Sequence, residues 1–385
     1  MPTVDQWKQA LSRPYRLKIE SSLSLCQDVE SRRRDKARER GRQPPESKDL
    51  SPWPAPSGRQ ESIDVRPIDM LHALGRITTP PITELIDLSS TWAELRYVWA
   101  FRPNPNSSRP RPLQLNDAAK NLDFHQKTLL SDEFGVGFAA YYMVTVESAS
   151  DPVDVFIAKR QPQLRLRRNS RRSLPDYIFK GPRHNQYFVV ECKGTQSQRP
   201  AAIRQLQRGT EQVVTVGIDS PALTTHLVIG ALLSGNISLF VIDPVEGSEP
   251  RILTRWTIES LRRFSDAKKL TYIGNYTGAR KLLPEITIEA VSGEYEEWEP
   301  DVRETANGVF EGSAEIRRTP DGRELRMFRG LRSGEPRRSG QPIETPVSTD
   351  VPPRRSFILE SDVDGRTALL RSISPDGSLF EVEVR

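Results

Sequence analysis

The residues with chemical potential are concentrated in one short stretch of the chain. Leu174-Pro175-Asp176-Tyr177-Ile178-Phe179 and Tyr187-Phe188-Val189-Val190-Glu191-Cys192-Lys193-Gly194 both read as β-strands, rich in aromatic and β-branched residues and bounded by Pro, Gly and Asn. Between them, Lys180-Gly181-Pro182-Arg183-His184-Asn185 carries the breakers of a hairpin loop. Side chains alternate faces along a strand, so Glu191 and Lys193 project from one side and Cys192 from the other. Asp176 opens the neighbouring strand and is placed to meet them at one edge of the sheet. Two carboxylates and a lysine on an otherwise apolar hairpin suit a divalent metal ion working on a phosphate.

Pro175-Asp176, followed by Glu191-Cys192-Lys193 with Glu191 fifteen residues after Asp176, resembles the signature of the PD-(D/E)XK nuclease superfamily, the restriction-endonuclease-like fold. The resemblance implies a metal-dependent nuclease hydrolysing phosphodiester bonds, in DNA above all, as an endodeoxyribonuclease of the kind used in restriction or phage defence. It implies that Asp176 and Glu191 bind Mg²⁺ (or Mn²⁺), with the backbone carbonyl of Cys192 as a further ligand. Lys193 would activate water or stabilise the transition state. Family members often carry an extra acid on a helix before the first strand; Glu133 matches by order and Asp132 is its rival, while an ordinary first-turn acid is the alternative. Some branches place a helix glutamine near the site, and Gln205 lies at a compatible distance, although a plain polar helix residue is the stronger reading.

These residues need elements to hold them. From about Asn116 to Val146 a helical pattern dominates, with Phe134, Phe138 and Tyr141 in one apolar stripe and a start expected near Ser131. Pro152 to Ala158 reads as a strand. After Lys193, Pro200 suits a helix start, with Ile203, Leu206 and Val213 as its buried stripe. Leu227–Leu233 and Ile237–Ile242 read as two more strands, and Trp256 to about Leu283 as helix broken near Gly274. The fold class expected is therefore α/β, a restriction-endonuclease-like αβββαβ core with a mixed central sheet over residues 116–285. Residues 1–60 read as a basic, mostly disordered arm, 61–115 as a small N-terminal accessory module, and 286–385 as a β-rich C-terminal region with Asp-Gly turns.

Charge distribution points the same way. Residues 151–210 hold 13 Lys/Arg against 4 Asp/Glu, although the whole chain is only +5. Arg165, Arg167, Arg168, Arg171 and Arg172 precede the hairpin and are candidates for phosphate contacts, the plain alternative being a solvated loop. Nucleic acid is thus the expected partner. The two cysteines form no spaced framework, the four histidines are too scattered for zinc, and no phosphate-binding GxxxxGK[ST] loop is present. Cys192 is unsuited to nucleophilic work, pointing away from the acids with no histidine on its strand. The polar N-terminus and the interrupted apolar stretch at 226–242 predict a cytoplasmic protein with no membrane partner. Two alternatives stay open: a non-cleaving nucleic-acid-binding module, and a nuclease subunit active only with a partner protein or as a homo-oligomer through its terminal regions. If the arginine run holds phosphates, reversing charge at Arg167 and Arg168 weakens DNA binding uniformly. It also flattens the log–log salt dependence by about 1 per lost contact, read from affinities across a salt series.

Overall fold

The run from Tyr187 to Cys192 is apolar without alternation apart from Glu191, so its strand must be covered on both faces. The computed structural model describes residues 3–41, 50–53, 61–81, 93–94, 96–103, 110–155, 174–214, 216–218, 223–244, 252–254, 258–283, 298–318, 323–333, 357–364 and 367–384. Its elements run α1 (Val4–Ser12), β1 (Tyr15–Glu20), α2 (Leu23–Glu39), β2 (Leu50–Pro52), β3 (Ser62–Val65), α3 (Pro67–Thr78), α4 (Asp117–Lys120) and α5 (Phe124–Thr145). Then come β4 (Ser150–Asp154), β5 (Tyr177–Lys180), β6 (Gln186–Thr195), α6 (Arg199–Val213), β7 (Val216–Ile218), β8 (Leu223–Leu232), β9 (Ser238–Pro244), β10 (Ile252–Thr254), α7 (Ile258–Tyr272) and α8 (Tyr276–Leu282). Six strands close the chain: β11 (Asp301–Thr305), β12 (Gly308–Arg318), β13 (Glu324–Arg332), β14 (Ile358–Asp364), β15 (Thr367–Ile373) and β16 (Ser378–Val384).

The central sheet has the order β3-β1-β9-β8-β6-β5-β4, with β2 also paired to β9. Strands β4, β5 and β6 form an antiparallel meander, and the chain crosses through α6 to β8, which lies parallel to β6. Over Phe124–Leu232 the chain runs helix, three antiparallel strands, helix and parallel strand, with the short β7 between α6 and β8 pairing with β10 in a separate two-stranded sheet. The mixed α/β sheet is as expected from the patterning.

Each face of β6 meets its own apolar layer. Phe188, Val190 and Cys192 pack with α3 and α5, among them Leu71, Phe134 and Phe138. Tyr187 and Val189 pack with α2, α6 and α7, among them Leu25, Leu206 and Phe264. The helix over the first layer is longer than its pattern suggested. Asp123 caps it, accepting from the Gln126 N–H at 3.0 Å, so α5 begins at Phe124 and Ser131 lies mid-helix rather than at a start. The break near Gly274 is present, with φ +83 at that glycine between α7 and α8.

The N-terminal sixty residues depart from the expectation of a disordered arm. In their described part, β1 inserts between β3 and β9 with Tyr15, Leu17 and Ile19 buried. Helix α2 carries the arginine-rich tract and packs beside α6, where Lys36 bonds Glu211 at 3.2 Å and reaches Gln207 at 3.3 Å. High charge density masked three buried residues, Leu25, Cys26 and Val29, spaced to seat one helix face. Nor do the described residues of 61–115 stand apart as a module, because β3 pairs with β1 and α3 is buried along most of its length.

The C-terminal region is β-rich as expected, a six-stranded antiparallel sheet in the order β11-β12-β13-β16-β15-β14. Asp376-Gly377 forms the turn between β15 and β16, with φ +85 at the glycine, whereas Gly322 and Gly365 lie outside the described residues. Buried polar groups join this sheet to α3 and its neighbours. His72 meets Ser372 Oγ through Nδ1 at 3.2 Å and Ser378 Oγ through Nε2 at 3.0 Å. Arg329 donates to Glu94 Oε2 at 2.5 Å from Nη2 and 3.0 Å from Nε, both residues being buried. Removing one partner of such a pair strands the other charge. Arg329→Ala is expected to cost about 3–5 kcal/mol in chemical denaturation, and Glu94→Gln added to it should recover a large part.

Candidate active site

The register of the meander builds the site. Tyr177 pairs with Val190, so the next position outward sets Asp176 across from Glu191. β5 ends there, and the Cys192 N–H, with no strand partner on that edge, donates to Asp176 Oδ2 at 2.8 Å. In a strand the N–H and C=O of one residue face the same neighbour, so the Cys192 carbonyl turns toward Asp176 as well. Lys193 forms an ion pair with Glu191 Oε1, two residues back on the same face.

Helix α6 seals this corner from above. A methyl group on Gly209 would stand 2.6 Å from Val228 Cγ1 and 3.3 Å from Glu191 Cγ, so the helix sits on the carboxylate stem. Glu191 is 0% exposed and its Oε2 has no hydrogen-bond partner. Asp176 Oδ1 takes no hydrogen bond from the described residues. Burial, then the charge of Asp176, pushes the Glu191 carboxyl up to about 8 against the pull of Lys193. Burial also raises Asp176 against Lys193, with Asp154 and Asp132 adding to the rise. Burial alone would lower Lys193, but Glu191 and Asp176 hold its ammonium above the ordinary range.

Helix α5 approaches from the other side at unusually close range. A Cβ on Gly194 would fall 1.8 Å from the Ser131 carbonyl oxygen, and one on Gly135 would fall 2.6 Å from the Lys193 carbonyl carbon. Only glycine at both crossing points lets the backbones meet. This contact brings Asp132 within electrostatic reach of Lys193, whose charge opposes the upward push of burial on the Asp132 carboxyl.

The helix acid at the site is thus Asp132. Glu133 points elsewhere, paired with Arg96 Nη1 at 3.4 Å and bonded to Tyr97, because consecutive helical residues diverge by 100°. Asp154 also bears on Asp176 and was not anticipated; its place at the end of β4, paired with Tyr177, follows only from the register. The glycine pair carried a readable signal, a small residue in a helical pattern and another directly after Lys193. Gln205 lines a groove of about 540 Å³ that also contains Asp132 and Gly194, whereas Gln212 reaches back to the Leu174 carbonyl at 3.5 Å. Arg165, Arg167, Arg168, Arg171 and Arg172 lie outside the described residues.

Glu191, buried with Oε2 unpartnered, and Asp176, part-buried with Oδ1 taking no hydrogen bond from the described residues, are hard oxygen donors beside a main-chain carbonyl. No group of three or more His, Cys, Asp or Glu side chains among the described residues is arranged to hold a metal by side chains alone. Oxygen donors of this type are those an ion such as Mg²⁺ accepts, being held by one or two carboxylates and keeping several waters. No family model, curated protein or solved structure matches the chain. No helix among the described residues is long and apolar enough to cross a membrane.

The close helix–strand contact is directly testable. Gly194→Ala forces a methyl into the Ser131 carbonyl and is expected to lower stability by about 1–3 kcal/mol in urea denaturation. A variant as stable as the natural chain would show that α5 and β6 stand further apart.

Proposed function

We propose that the chain is a metal-dependent nuclease of the PD-(D/E)XK kind, acting on DNA. The observation that carries this reading is the junction of Asp176, Glu191 and Lys193, with Glu191 Oε2 buried and unpartnered. The helix–three-strand–helix–strand order around that junction supports it, being the order the resemblance implies.

In this reading Asp176, Glu191 and the Cys192 main chain would hold the ion. A divalent ion there supplies Lewis-acid neutralisation of the phosphate and eases deprotonation of water. The protein's own residues do the positioning. The Cys192 N–H fixes the Asp176 carboxylate by its Oδ2. Helix α6 keeps bulk water away from Glu191, which strengthens its interaction with any cation. Lys193 stays protonated between the acids and can donate to a non-bridging phosphate oxygen or orient the attacking water. Asp132, on the opposite wall, is placed to accept a proton or to orient a second water.

The test is cleavage of supercoiled, linear, single-stranded and RNA substrates in Mg²⁺ or Mn²⁺. Asp176→Asn, Glu191→Gln and Lys193→Met should each reduce the rate by at least about 10²–10³, the scale seen when one preorganised transition-state partner is removed. Unchanged cleavage in all three variants would overturn the assignment. Cleavage that appears only after a co-purifying protein is added would make the chain a subunit of a nuclease.

A further inference from the structure

One large apolar side chain at the mouth of the groove has no role in the fold. Phe124 is 86% exposed, on the first turn of α5. Its surroundings are polar. Lys120, Lys127, Thr128 and Gln196 line the same groove, and Gln196 Nε2 is buried without a hydrogen-bond partner. Among the described residues Lys127 holds no ion pair, and Lys120 is held by Asp117 alone, at 3.4 Å in an exposed pair that a phosphate can replace at little cost. Gln205 lines the groove from α6, and Arg204 and Arg208, one residue before it and three after, are exposed on the same helix.

Phe124, Lys127, Thr128, Ser131 and Asp132 follow the i, i+3, i+4, i+7, i+8 spacing of one helix stripe. That stripe continues to Gly135, against Lys193. At about 1.5 Å rise per residue, the phenyl ring stands about 12 Å along the helix from Asp132. An exposed aromatic ring among cations, amides and hydroxyls, in a groove that reaches Asp132 and the Gly194 beside Lys193, matches the stacking platform and phosphate track of single-strand binding. A protein-docking face would instead be expected to surround the ring with further apolar side chains.

We propose that this groove takes an unpaired strand of nucleic acid, one base of which stacks on Phe124 while Lys127 and Lys120 hold its phosphates. The inference rests on the nuclease reading and names its substrate class, a single strand or an end or bubble with unpaired bases. A closed duplex keeps its bases stacked on one another and cannot offer one to the ring.

The test is fluorescence anisotropy on the full chain in EDTA, which prevents metal-dependent cleavage. The probes are a labelled oligo-dT strand and a labelled duplex closed at both ends by hairpin loops too tight to expose a base. Phe124→Ala and Phe124→Leu should each reduce the preference for oligo-dT over the duplex by about 5- to 100-fold, and Phe124→Trp should restore it. Lys127→Glu should weaken oligo-dT binding and lower the salt slope by about 1. The side chain of Phe124 is exposed, so folding is not at stake, and thermal melts of each variant verify this. Leucine as good as phenylalanine, or equal losses on both probes, would overturn the proposal. Unchanged binding in Phe124→Ala would do so too and would assign the ring to a protein partner. The two readings fail separately. Metal-dependent cleavage with Phe124 irrelevant to binding removes the groove proposal alone. Phe124-dependent binding with no cleavage in any metal removes the nuclease reading and leaves a single-strand-binding groove.

Discussion

The site depends on a backbone contact that side chains could only prevent. Where α5 crosses β6, the Ser131 carbonyl lies so near Gly194 that no Cβ fits, and Gly135 meets the Lys193 main chain in the same way. Every other feature of the site follows from that approach. Held a methyl group further away, α5 would leave Asp132 out of range of Lys193, and the groove would open between the helix and the strand end. A helix resting on glycines is positioned by main chain on main chain, which has no rotamers to soften it.

The electrostatics explain why such rigidity matters. Glu191 is buried beneath α6 with one oxygen paired to Lys193 and the other unpartnered, and Asp176 is part-buried beside it. Lys193 is a single positive charge set against Asp176, Glu191 and Asp132, with Asp154 adding to the field on Asp176. Burial raises the carboxyls of Glu191, Asp176 and Asp132, so each holds its proton more readily in the fold than in water. A cation beside them would oppose that shift.

How much of this was readable in the chain depends on whether the signal is local. The hairpin, Pro200 at the start of α6, the paired strands around Ser234-Gly235-Asn236 and the break at Gly274 are each written in a few adjacent residues, and each is present. The junction of Asp176 with Glu191 was also legible, since period-two alternation and a short loop leave few registers. What failed was long-range. Tyr15-Arg16-Leu17-Lys18-Ile19 alternates as a strand does, but its partner β9 lies more than two hundred residues away, and the flanking charge run drew the whole segment into a disordered reading. Choosing Glu133 over Asp132 was a phase error of one residue. The helix extends from Phe124, well before Ser131, and only its packing against Gly194 shows which side faces the strand.

The terminal segments then take on a structural meaning that composition concealed. Sequence elements before α5 supply β1, β3, α2 and α3, which extend the sheet beyond β9 and cover both of its faces. The C-terminal sheet docks on α3 through His72 and through Arg329 with Glu94, burying polar groups that a freely moving domain would leave hydrated. Both additions therefore brace the layer formed by α3 and α5, the layer that presses Gly135 onto Lys193. Charge is likewise divided along the chain: residues 286–385 hold 20 Asp/Glu against 14 Lys/Arg, whereas residues 151–210 hold 13 Lys/Arg against 4 Asp/Glu. A chain of small net charge can in this way carry a local basic excess around its acidic corner, because the opposite sign is placed in a separate sheet.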